Sequence, residues 1–133
     1  MPVPPSPESP TVSRDILPED RIHPAVREKI ANNHRDIVDE VKAAVAAHDV
    51  VVVGMALNPN PKKARDALDA LGIAHHDLNY GGYHNQWRRR NALKMWTGWP
   101  TFPMVFVKGT LVGGASDLKK LIDSGELQKM LAG

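Results

Sequence analysis

The sequence predicts an α/β fold, a mixed sheet with helices on its faces. Three features carry that expectation. "DVVVVGM" is a continuous β-branched run of the kind a strand covered on both faces requires, and "NPNPKKARDALDALG" follows it at once with a proline-led apolar stripe at helical spacing. "MVFV-KG-TLV" has the outline of a β-hairpin turning on Lys108 and Gly109.

Taken in order, six of the eleven prolines fall within the first eighteen residues, where no apolar periodicity is sustained. Such a segment buries too little surface to offset its ordering entropy, so residues 1–20 are expected to form a flexible tail. From His23 the pattern changes: Val26 and Ile30, then Ile37, Val41, Ala44, Val45 and His48, recur as on an amphipathic helix. Residues 21–48 therefore read as one long or two short helices, interrupted near "NNHR".

The β-branched run then opens a core spanning 49–133. In the helix that follows, Asn60 suits the N-cap and Pro61 the first position, with Ala64, Ala67, Leu68 and Leu71 as the apolar stripe and Gly72 as the stop. "AHHDLNY" is a second strand, and "QWRRRNALKMW" a helix expected to turn Ala92, Leu93 and Trp96 inward. After the hairpin, Asp117 is placed to start a last helix, "DLKKLIDSGELQKML".

Composition narrows the function classes. A chain of 133 residues with a net charge of +2 is one domain's worth and too mildly basic to require a nucleic-acid partner. It has no cysteine, which excludes disulfides, thiolate metal sites and thiol nucleophiles built from its own residues. The longest strongly apolar stretch, Val50 to Leu57, is too short to cross a bilayer, and no apolar leader opens the chain. A cytoplasmic protein without membrane partners is the expectation.

"WPTFPMVFVKGTLVGG", Trp99 to Gly114, is very similar to the W-P-T-x-P, strand, K-G, strand, G-G passage of monothiol glutaredoxins, and "SGELQKML" resembles that family's final helix. The resemblance covers about residues 36–133. It implies a thioredoxin-like fold, a mixed four-stranded sheet flanked by helices with an N-terminal helical extension here, and a cis peptide bond before Pro103. In that family the strand matching "VVVVGM" leads into C-x-x-C or C-G-F-S at the head of a helix. Aligned on "KKA", the residues "NPNP", Asn58 to Pro61, stand there instead, and Ala56 lies close to where a lysine usually precedes the site. Exchange of a glutathione mixed disulfide needs a low-pKa thiolate, which asparagine and proline cannot supply. A shared iron-sulfur cluster would lose its protein cysteine ligand in the same way, so none is expected.

The rest of the glutathione site is what the resemblance implies has survived. Arg90 and Lys94 match basic positions near the tripeptide's glycine carboxylate. Thr101, Phe102 and Pro103 match the loop that pairs with the cysteinyl amide, and Gly114, Ser116 and Asp117 match the grip on the γ-glutamyl end. The residues read alone agree in part. Arg90 and Lys94 are four apart on one helix face, and a guanidinium forks well onto a carboxylate. Ser116 and Asp117 open a helix, where free N–H groups suit a carboxylate and an aspartate suits an ammonium. Lys62 and Lys63 sit at a helix N-terminus against the macrodipole, which a nearby anion would explain.

Plainer readings stand beside these. Arg90 and Lys94 could be a solvated face, "WRRR" carries little weight as a nucleic-acid patch, and Trp87, Trp96 and Trp99 suit packing. His75 and His76 are adjacent, face opposite sides of a strand and make a poor metal pair. Three functions are in play. The first is a cysteine-less, non-redox module that binds glutathione or a related thiol peptide as sensor, carrier or adaptor. The alternative is a protein-interaction module with a vestigial groove. A third is a glutathione-transferase-like enzyme in which Asn58 stabilises the bound thiolate.

Overall fold

A computed structural model of the chain describes residues 14–55, 59–81 and 87–132. Most of the expected tail and Asn58 lie outside those residues. The chain divides into two compact units at the Asn32–Asn33 boundary. In the first, a short 3-10 turn (Glu19–Arg21) precedes helix α1 (Pro24–Asn32), none of whose residues is buried. Arg27 Nε donates to the Ile22 carbonyl at 2.8 Å and ties the helix to the chain before it.

The second unit opens with helix α2 (Arg35–Ala47). The "NNHR" interruption is a real break: His34 takes a left-handed φ of 47° ahead of α2. Then follow β1 (Val50–Gly54), α3 (Pro59–Ala70), β2 (His76–Asn79), α4 (Trp87–Thr97), β3 (Met104–Val107), β4 (Thr110–Gly113), α5 (Ala115–Ser124) and α6 (Glu126–Ala132). The strands form one four-stranded sheet in the order β2-β1-β3-β4. β1 runs parallel to β2 and antiparallel to β3, and β3 and β4 are the antiparallel hairpin. This is the mixed sheet that the βα unit and the hairpin predicted.

Period-two alternation divides the core between the two faces. Val51, Val53, Met104 and Phe106 pack with Ile37 and Val41 of α2 and Ala92 and Leu93 of α4. Val50, Val52, Val105 and Val107 pack with Ala64 and Leu68 of α3, Leu118 of α5 and Leu127 of α6. Every residue of β1 is therefore buried, as a strand covered on both faces must be.

Three local expectations are corrected. α3 starts at Pro59, so Asn60 and Pro61 sit in its first turn and not at cap and first position. Two prolines are tolerated there because first-turn N–H groups have no intrahelical acceptor to lose. Trp96 is 38% exposed, its ring centroid 6.2 Å from that of Phe106, while Ala92 and Leu93 are buried as expected. The last helix starts at Ala115 and is cut in two by Gly125, whose φ of 80° is left-handed. Gly72 does end α3: its N–H donates to Asp69 and that of Ile73 to Leu68, the paired bonds of a Schellman stop.

Candidate functional site

Three segments meet at the C-terminal end of β1: the head of α3, the loop from Gly98 to Pro103 and the head of α5. Gly54 ends β1 without a side chain because a Cβ there would lie 2.7 Å from Cβ of Pro61, so the first turn of α3 seats directly on the strand. α4 gives way to the loop at Gly98, whose φ is 79° and whose N–H donates to Lys94 at 2.7 Å. Thr97 Oγ1 then accepts the Trp99 N–H at 3.1 Å, and the loop closes through a cis Phe102–Pro103 bond. At α5, the Gly114 N–H donates to Asp117 Oδ2 at 3.0 Å, the reciprocal half of a capping box. Gly113 makes room for that carboxylate, since a Cβ there would meet Asp117 Oδ2 at 2.7 Å.

Between these segments lies a cavity of about 730 Å³. Thr101, Phe102, Pro103, Gly114, Ser116 and Asp117 all line it, so six of the residues singled out in the sequence are brought to one place. Asn60, Lys63 and Trp99 line it as well. Lys63 is one of the two cations that the sequence placed at the start of this helix, and Asn60 was legible in principle, because it shares a helix face with Lys63 and Ala67. Trp99 carries a further signal: its indole Nε1 is buried without a hydrogen-bond partner among the described residues.

Lys62, Arg90 and Lys94 are not in the cavity wall. Lys62 Nζ reaches Asp66 at 2.7 Å, an i,i+4 pair that accounts for a cation early in α3 without an external anion. Arg90 is 6% exposed and donates from one guanidinium nitrogen to the Tyr80 carbonyl at 2.8 Å, so it is not a solvated face. Lys94 Nζ stands 5.7 Å from the centroid of the Phe102 ring, a cation-π contact behind the loop. Tyr80, the partner of Arg90, is itself held by Glu40. Burial first, then that hydrogen bond to a carboxylate, push its phenol well above the ordinary value.

At the sheet edge His76 opens β2, His75 precedes it, and the two take different partners. His76 stacks on His48 with centroids 4.2 Å apart, whereas His75 bridges Asp69 and Asp77 at 2.7 and 2.6 Å. Among the described residues no group of three or more histidine, cysteine, aspartate or glutamate side chains is placed to hold a metal ion, and no helix is long and apolar enough to cross a membrane.

The glutaredoxin family model matches residues 59–112. A "Glutaredoxin-like protein" of Dictyostelium discoideum is 44% identical over 98 residues, which are 74% of this chain and 80% of that protein. The chain belongs to the glutaredoxin family. A "Probable monothiol glutaredoxin 2" of Rickettsia felis is 42% identical over 66 residues, 50% of this chain and 61% of that protein. Among solved structures, a buckwheat glutaredoxin-glutathione complex superposes with a TM-score of 0.66 at 21% identity, over 76% of this chain and 92% of that one. At that identity the likeness speaks for the fold, and the fold is thioredoxin-like, as the sequence resemblance implied. This glutaredoxin has no cysteine anywhere in its sequence.

Proposed function

We propose that this glutaredoxin binds glutathione, or a related thiol peptide, and holds it without exchanging its sulfur. One observation carries the reading: the Thr101–Pro103 loop and the start of α5 wall a single cavity beside the head of α3, in a chain with no cysteine. The free N–H groups of the first turn of α5 suit a ligand carboxylate. Asp117 spends one oxygen on Gly114, and a carboxylate has further acceptor capacity for an ammonium. Lys63 adds a positive charge on the facing wall. The glutathione complex of the buckwheat neighbour and the family membership support the same ligand class. Without a thiolate of its own the protein has no nucleophile for disulfide exchange, and the role we assign is binding, as sensor, carrier or adaptor.

Isothermal titration with reduced and then oxidised glutathione tests this. Saturable binding with Kd between about 1 μM and about 1 mM is expected, weakened about tenfold by Lys63→Glu, a change at an exposed helix position. No saturable binding of either form would overturn the reading.

A further inference from the structure

The cavity does not end at the loop and the head of α5. From Thr101 and Pro103 it continues between α3 and α5 as far as Leu71 and Ile122. The reason lies in the helix periodicity. Asn60, Lys63, Ala67 and Ala70 follow one another at spacings of three, four and three on a single face of α3, and the two alanines leave the space that larger side chains would close. At 1.5 Å per residue, the wall from Asn60 to Leu71 is about 16 Å long. Along the trough two rim pairs offset each other's charge: Lys119 pairs with Asp123 at 3.1 Å and Asp66 with Lys62 at 2.7 Å. What remains between the pairs is an apolar trough, with Leu71 45% exposed at its far end.

We infer that the ligand class of this site is an S-substituted glutathione, a thioether conjugate whose apolar S-substituent lies in the trough between α3 and α5. The inference rests on the reading of the cavity as a glutathione site and adds the substituent. Continuity favours this occupant, because the trough is the same cavity as the loop and α5 site and starts at the head of α3. Chemistry favours it too. A thioether offers no leaving thiolate for exchange, and this chain has no thiol with which to attack one. Beyond Lys63 the trough presents Ala67, Ala70, Leu71 and Ile122 between paired rim charges, a lining against which an alkyl or aryl group gains by every methylene removed from water.

Titrations of the full chain with glutathione and with S-hexylglutathione, together with Ala70→Trp, decide the matter. Ala70 is exposed on α3, and tryptophan there fills the trough from its rim. The wild type should bind S-hexylglutathione at least about tenfold more tightly than glutathione, and Ala70→Trp should abolish that gain while keeping glutathione affinity within about twofold. Equal affinity for the two ligands in the wild type, or a gain that survives Ala70→Trp, overturns the inference and leaves glutathione binding standing. Failure of both ligands to bind removes the site reading itself. Should Ala70→Trp unfold, Leu71→Ser carries the same test with a reduced gain. If instead a second copy fills the trough, size-exclusion shows a dimer that Ala70→Trp dissociates, with no preference for the hexyl ligand, and the inference falls.

Discussion

His75 places one imidazole between two carboxylates, Asp69 on α3 and Asp77 on β2, and its side chain is only 9% exposed. Both ring nitrogens can donate only when the ring is protonated. Burial pulls its pKa down, but the hydrogen bonds to Asp69 and Asp77 and their charges outweigh it, so the net shift is upward from the ordinary 6.5. A group whose folded pKa is raised contributes its stability fully below the unfolded value and loses it as pH rises through the folded one. Thermal melts should therefore show stability falling as pH rises from below the ordinary 6.5 through the raised folded value, with a shallower fall in His75→Gln. Parallel profiles for the two proteins would refute this assignment. Arg65 stands 4.0 Å from Asp77, so a second cation shares that carboxylate.

Between β3 and β4 the turn makes a demand its residues meet only in part. Lys108 and Gly109 have φ of 51° and 83°, so both central positions are left-handed, the geometry of a type I′ hairpin turn. Glycine accepts this freely and lysine does not. Lys108→Asn should stabilise the protein by about 0.5–1 kcal/mol, because asparagine is the favoured partner of glycine in this turn. The change sacrifices a contact of 3.4 Å to Asp49 between groups 40% and 68% exposed, which solvent screens to little consequence. Urea unfolding measures it, and a loss of stability would mean that the ion pair outweighs the backbone strain. The same hairpin was plain in the sequence, since a two-residue loop between two short apolar runs is a local signal. The division of the last helix at Gly125 was less so, because a helical apolar pattern continues on both sides of it, in Leu118 and Leu127.

Across the molecule the sheet separates two cores that share its strands but not their side-chain contacts. Ile37→Val on one face should cost about 0.5–1.5 kcal/mol and Leu118→Ala on the other about 2–5 kcal/mol, both side chains being fully buried. The double variant should equal their sum within about 0.5 kcal/mol in denaturant unfolding, and a larger departure would show that the sheet transmits strain between the faces. The strands and the buried faces of α2 and α5 were readable because apolar periodicity is local, whereas Val26 and Ile30 keep helical spacing on α1 yet stay exposed; the loop and α5 residues of the cavity were readable through their family pattern. The missing sulfur was a matter of composition alone. Where Arg90 points was not legible: helix spacing puts it beside Lys94, but only packing sets its guanidinium against the Tyr80 carbonyl, away from the cavity wall. Nor could periodicity reveal the trough, because Ala67 and Ala70 become a cavity wall only when α5 lies opposite them, and empty space belongs to two elements at once.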